Sequence, residues 1–446
     1  MTQAEIKPKD QGKNLVWIIV AVTILNAVLA LFVFDLAGKE LTGDELHYNQ
    51  LAVNLINHSA FSFETEPPFE PTIYRTPGYS IFVAGLYLIS GNSVLFVKLF
   101  QFLLFGVNAY LLYKLAKFYT DEKTARVAAY FFLIYIPFIF ITAFMITETV
   151  TVTLLLGLFL LIKKYNWQGD KRIWLDLIIG VVMGILAMVR PTTSLIVIPL
   201  VLSVWLPYFF KRSTLNFQQV FLKSFLFGCG LLLVFAPWVA RNYSITKRFV
   251  PFTVMTSPES SYVSLLQYNG KISYAFTVPE WKEIYLAGLS ERRSKADERI
   301  SKGEVEPNLA NMPKSVQREL LIEESYKNSA KEEFKELSLS KVAKSLPVRL
   351  AYLWSTANAF APNVIIHRIA QVQFGIFFLL ALIGILYNWR NLLSHWLLLL
   401  FPIYLTVMHS IFHEEPRYTI PARPFILIYC AIAAVWLWNL IRKKSS

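Results

Sequence analysis

Asn14–Phe34, NLVWIIVAVTILNAVLALFVF, runs for 21 residues without a charge. The apolar core of a bilayer takes about 20 residues of helix to cross. This stretch is longer than the apolar part of a secretion signal, and no small-residue cleavage site follows it. It is expected to be a retained first membrane span. Further apolar runs then follow along the chain, at roughly 93–118, 124–142, 145–163, 173–190, 192–210, 217–240, 368–387, 393–411 and 421–441. Pro77–Ser90 is also apolar but too short to cross, so it is expected to be a re-entrant or juxtamembrane helix.

These runs account for the composition. The chain has 446 residues, of which 55% are hydrophobic and only 16% charged, well under the roughly 25% charged of soluble domains. The fold class is therefore an all-α polytopic membrane protein. Cys229 and Cys430 lie inside apolar runs, which rules out a disulfide framework or a metal-ligand spacing.

A net charge of +13 would suggest nucleic acid in a soluble protein. Here the basic residues sort by side. Lys7, Lys9, Lys13, Lys114, Lys117, Lys123, Arg126, Lys163, Lys164, Lys171, Arg172, Lys211, Arg212, Lys223, Arg390, Arg442, Lys443 and Lys444 all fall on one side under a single topology. The positive-inside rule makes that side, with both termini, cytoplasmic. Nucleic acid is excluded as a partner. A multi-pass protein of the plasma (inner) membrane is expected, arranged as a module over 1–241, an outer-facing helical region over 242–350 and closing spans over 351–446.

Two outer segments carry the chemistry. In the first, about 37–92, Thr42-Gly43-Asp44-Glu45 has capping-box spacing, with Thr42 as N-cap. Tyr48, Leu51, Ala52, Leu55 and Ile56 give the helix an apolar face suited to lying on the outer leaflet. Acidic residues also favour the first turn of any helix, a purely structural reason for Asp44 and Glu45. Their neighbours argue for more: His47 follows, and Tyr74-Arg75-Thr76-Pro77-Gly78-Tyr79 closes the loop. In the second segment, Met312-Pro313 predicts a helix start, with Val316, Leu320, Ile322 and Phe334 as its stripe.

Glu148 sits between two apolar runs, where an ionisable group is a functional candidate by default. Arg190, Arg241 and Arg417 each stand at an outer span end, against the charge trend, beside Pro191, Trp238 and Tyr418; His413 lies just ahead of Arg417. One such arginine alone would read as an interfacial anchor. Three, with Arg75, beside two separated carboxylates, suit a phosphate ligand held bidentately.

In order and spacing these segments resemble the bacterial GT-C glycosyltransferases of the dolichyl-phosphate-mannose–protein mannosyltransferase type, including the aminoarabinose transferases that modify lipid A. The segments are Gly43-Asp44-Glu45, Arg75-Thr76-Pro77-Gly78-Tyr79, Thr147-Glu148-Thr149, Arg190-Pro191, Pro237-Trp238 with Arg241-Asn242-Tyr243, and Arg417-Tyr418. The resemblance implies a GT-C-like bundle of about ten to eleven spans, with amphipathic juxtamembrane helices in the first outer loop and a helical outer insertion. It also implies transfer of a sugar from a polyprenyl-phosphate donor at the outer face, with inversion, to a lipid, glycan or protein acceptor. Asp44 and Glu148 take the catalytic positions. Glu45, His47, Tyr74, Arg75, Tyr79, Arg190, Arg241, His413, Arg417 and Tyr418 become candidates for substrate binding. The sequence implies no certain cofactor, and relatives differ over a divalent cation. Two alternatives share the outer arginines: a glycan polymerase or ligase using lipid-linked oligosaccharide, and a lipid or sugar transporter. The second would favour internal repeats and midplane charges, and neither stands out here.

Overall fold

The computed structural model describes residues 8–444 apart from 168, 170, 171, 255, 273–278, 357–359, 413 and 414. His413 lies outside the described residues. Among those described, all regular secondary structure is helical. The order is α1 (Pro8–Val28, running into a π-turn at Leu29–Val33), α2 (Asp44–His58), α3 (Pro77–Ser90), α4 (Val94–Ala116), α5 (Glu122–Leu133), α6 (Ile136–Ile141), α7 (Glu148–Lys164) and α8 (Ile173–Val189). A 3-10 turn, Pro191–Ile196, leads into α9 (Val197–Phe209) and α10 (Phe217–Thr246). Next come α11 (Thr256–Tyr268), α12 (Pro279–Ser301), α13 (Pro307–Ala310), α14 (Lys314–Lys335) and α15 (Leu339–Leu353). The chain ends with α16 (Val364–Tyr387), α17 (Trp396–Ile411), a 3-10 turn at Pro416–Ala422, and α18 (Arg423–Lys444).

Six of these helical stretches are long and apolar enough to cross a membrane: Asn14–Val33, Val94–Ala116, Pro191–Phe209, Phe217–Thr246, Val364–Tyr387 and Pro416–Lys443. The Pro77–Ser90, Trp174–Val189 and Trp396–Ile411 helices are apolar but shorter. Trp17, Leu232, Leu233, Val372 and Leu379 are all more than half exposed on the long helices. Surface leucines and valines in such numbers call for lipid rather than water around them.

The expected span over 124–142 is two helices, and the cause is Pro137. Proline has no N–H to return to the carbonyl four residues back, that of Leu133. Polar side chains from two other helices satisfy the break: Asn26 Nδ2 donates to the Leu133 carbonyl at 2.8 Å, and Gln373 takes the Ile136 N–H at 2.9 Å while donating to the Ile134 carbonyl at 2.7 Å. In a membrane interior such backbone groups must find protein partners.

Close helix contacts set the frame around α8. A Cβ at Gly180 would lie 2.1 Å from the Phe227 carbonyl oxygen, and one at Gly230 would lie 2.2 Å from that of Leu177, so only glycine lets α8 and α10 meet here. Asp176, which takes Lys223 Nζ at 2.7 Å and Trp167 Nε1 at 2.6 Å, fixes their register. At the other end of α8, the backbone of Met188 and Val189 leaves no room for a Cβ on Gly78. This contact brings the start of α3 against the end of α8.

The α2 face is buried by protein, Tyr48 and Ala52 with Tyr79, Val83 and Tyr87 of α3 and Leu51 with Phe61, Met188 and Trp238, and so does not lie on the leaflet. In the later region α14 begins at Lys314, as Met312-Pro313 predicted. Val316, Leu320 and Ile322 are buried against Ile73, while Phe334 is two-thirds exposed and outside the stripe.

Candidate active site

The site begins with the backbone of Gly43. Its φ of +55° and ψ of −121° suit glycine, and they start α2 at Asp44. The expected Thr42 side-chain cap is absent: Thr42 offers its carbonyl to the Glu45 N–H instead, at 3.2 Å. Both acids of the first turn are thus free of capping duty. Glu45 Oε1 accepts the Met145 N–H at 2.9 Å, which ties α2 to the segment leading into Glu148, and burial pushes its pKa up.

Asp44 faces two arginines. Its Oδ1 is bonded by Arg75, and its Oδ2 accepts Arg417 Nη1 at 2.8 Å. Burial alone would favour the neutral acid. Arg75 and Arg417 outweigh it and hold the carboxyl far below the usual range. The Asp44 side chain keeps about a fifth of its surface open (22%), so the group is reachable.

Arg75 is held from several directions. Its guanidinium lies 4.8 Å from the Tyr74 ring centroid and 5.5 Å from that of Tyr48, and Nη2 is 3.2 Å from His47 Nδ1. Burial, then the Arg75 charge, lowers the His47 pKa to about 4, so this imidazole is neutral near pH 7. The Arg75 Nε is buried with no acceptor among the described residues. Arg417 reaches a second acid, Glu415, at 2.5 Å from its Nε.

Glu148 opens α7 and Arg190 closes α8. They pair at 3.0 Å with side chains 3% and 7% exposed, and Arg190 also donates to Thr147 Oγ1 at 3.2 Å. Pro191 disfavours helical backbone at Arg190, whose φ of −142° and ψ of 97° turn the chain out of α8 there. The Tyr418 ring joins the two ion pairs: its centroid is 5.6 Å from the Arg190 guanidinium and 5.4 Å from that of Arg417. His409 stacks on the same ring at 4.7 Å.

The fold therefore gathers Asp44, His47, Tyr74, Arg75, Glu148, Arg190, Arg417 and Tyr418. Tyr79 is wholly buried below them, donating to Gln101 at 2.6 Å and edge-on to Tyr48. Arg241 points elsewhere: it donates to the Thr72 carbonyl at 2.7 Å and lies 4.8 Å from the Trp238 ring, so it braces the loop that carries Arg75. That loop has another anchor which the sequence reading missed. Glu319 of α14 bonds Thr72 Oγ1 and accepts the Ile73 N–H at 2.9 Å. Glu415 and Tyr48 were missed as well. Only the position of Glu415, two residues before Arg417, could have drawn notice to it.

No group of three or more His, Cys, Asp or Glu that could hold a metal ion occurs among the described residues. Asp44 and Glu148 both face guanidinium groups, an arrangement that suits an anion better than a cation.

Residues 74–240 match the family profile described as dolichyl-phosphate-mannose-protein mannosyltransferase. In fold the chain aligns over 96% of its length with the oligosaccharyltransferase of Archaeoglobus fulgidus in its apo form, at TM-score 0.55 and 13% identity. The fold is GT-C-like, shared with that oligosaccharyltransferase. A second structure of that archaeal oligosaccharyltransferase, AglB in complex with an inhibitory peptide and a dolichol-phosphate, aligns over 96% of the chain at TM-score 0.52 and 13% identity. The chain spans about half of its length, 52% and 51% in the two structures. ArnT from Cupriavidus metallidurans bound to undecaprenyl phosphate aligns over 94% of this chain and 76% of its own, at 13% identity and TM-score 0.42. No curated protein matches the sequence. The GT-C profile stretch holds Arg75, Glu148 and Arg190; Asp44 lies before it and Arg417 after it.

Proposed function

We propose that this protein transfers a sugar from a polyprenyl-phosphate donor to an acceptor hydroxyl at the outer face of the plasma membrane, with inversion at the anomeric carbon. The observation that carries the reading is Asp44, a reachable carboxylate held between Arg75 and Arg417. The positive-inside distribution of Lys and Arg supports the orientation, with both termini cytoplasmic.

The donor phosphate is the anion that Arg75 and Arg417 receive, and the spare buried Nε of Arg75 gives it a further donor. As the phosphate takes up these guanidinium groups, Asp44 loses the charges that keep it a weak base. Its pKa then rises toward the ordinary carboxylate value, and it accepts the proton of the acceptor hydroxyl. The hydroxyl oxygen bonds to the anomeric carbon while the carbon–oxygen bond to phosphate breaks. The bonding pair leaves with the lipid phosphate, whose growing charge the arginines stabilise. Glu148 and Arg190 form the second half of the site, joined to the first through Tyr418.

The test is transfer by the full chain in nanodiscs, with matched donors carrying labelled sugar on a polyprenyl monophosphate or diphosphate. Label moving to an envelope acceptor from the monophosphate alone is expected. Use of the diphosphate alone contradicts the reading and favours a ligase.

A further inference from the structure

The first span ends in a turn that borders a cavity. Leu36 and Ala37 return their N–H groups to the Ala30 and Leu31 carbonyls, and Asp35 takes the left-handed region at a φ of +52°. The buried Lys98 pins this turn, its Nζ donating to the Leu36 carbonyl at 2.6 Å. The cavity has a volume of about 310 Å³. Phe34, Asp35 and Lys39 line it from one side, Phe144 and residues 360–362 from the other. The Phe144 and Phe360 rings meet edge-on at 5.0 Å, and the Lys39 ammonium stands 5.0 Å from the Phe144 centroid. Residues 360–362 lead into the span Val364–Tyr387, so two spans meet the membrane surface at this cavity. Phe32, Val33, Val364 and Ile365, next to its rim on those spans, are all more than half exposed.

Apolar surface of this kind calls for acyl chains. The cavity beside it offers one cation, one anion and aromatic faces. A simple anion would meet the Asp35 carboxylate there, and a simple cation would meet Lys39. A molecule that carries both charges and an apolar tail meets neither penalty. We propose that the cavity holds the headgroup of a zwitterionic phospholipid. Its phosphate takes Lys39, its ammonium lies between Asp35 and the Phe144 and Phe360 rings, and its chains run along the two spans. The site is distinct from the Asp44 carboxylate and its two arginines, which none of the cavity residues touch.

The test is native mass spectrometry of the full chain, delipidated in detergent and titrated with phosphatidylethanolamine or phosphatidylglycerol of matched chains. Wild type is expected to hold the zwitterionic lipid about tenfold more tightly, the worth of one charge-assisted hydrogen bond. D35N should bring the two lipids level, and D35E should restore the preference. K39A should weaken both by about tenfold. All three variants should retain undecaprenyl phosphate as wild type does. Equal affinity of wild type for the two lipids overturns the inference, as does a D35N protein with the preference intact or a K39A protein that holds both unchanged. Soluble phosphoethanolamine bound as tightly as the lipid also overturns it, because the chains then contribute nothing. Loss of undecaprenyl phosphate from K39A overturns it too, by making the cavity part of the donor site.

Discussion

Asp44 and Arg417 stand 373 residues apart in the chain and 2.8 Å apart in the fold. This contact joins the first turn of α2 to the 3-10 turn that opens the last span. Because Arg75 takes the other carboxylate oxygen, one short side chain holds two distant segments and two positive charges together. An anion able to replace Asp44 on those arginines acts on both segments at once.

Removing the Asp44 charge should separate binding from chemistry. D44N is expected to insert normally and to retain undecaprenyl phosphate at least as tightly as wild type, since the arginines no longer have a competing carboxylate. Titration of the lipid in nanodiscs measures this, and clearly weaker retention would contradict the exchange of partners.

The arginines should fail in the opposite way. R75A and R417A are expected to raise KM for the donor by about tenfold or more, each losing a charge-assisted contact. R75K should recover little, because a lysine point charge replaces neither the planar fork nor its stacking on Tyr74 and Tyr48. Steady-state kinetics with varied donor checks both.

Glu148 and Arg190 form a buried pair, and breaking such a pair from one side strands a charge, at a cost of about 3–5 kcal/mol. E148Q and R190M should each lower the midpoint of thermal unfolding in detergent. The double variant should lose less than the sum of the two. Additive losses would show that the pair is not coupled.

Glu319 gives the Arg75 loop a dependence on pH. Burial raises its pKa from an ordinary 4.5 to about 7, against the bonds from Thr72 and Ile73. The folded state thus binds this proton more tightly than the unfolded state. Its contribution to stability is complete below about pH 4.5 and is lost as pH rises through about 7. E319Q, which cannot ionise, should flatten the stability profile across that window, as followed by unfolding at a series of pH values.

Much of this was legible in the sequence, and the failures have physical causes. Uncharged runs exposed the membrane class, because no soluble domain tolerates them. Asp44, Arg75, Glu148, Arg190 and Arg417 drew notice as charges at span ends. Their pairing did not, since nothing local relates Asp44 to residue 417. The Thr42 cap failed because Gly43 can start the helix without one. The break at Pro137 was missed because the partners that make it tolerable, Asn26 and Gln373, come from distant helices. Arg241 resembled the other arginines in sequence, yet a carbonyl at Thr72 claims it. Glu319 lay in a charged helix that gave no sign which of its acids would be buried.

The central claim is that Asp44 is the base of a covalent transfer. The most direct measurement follows label from a polyprenyl-phosphate sugar into envelope acceptor with wild type and D44N side by side, with the anomeric configuration of the product determined by NMR. The account predicts an inverted product from wild type and a rate at least about 10²-fold lower in D44N. Turnover by D44N at the wild-type rate, or sugar crossing the membrane with no new glycosidic bond, would contradict it.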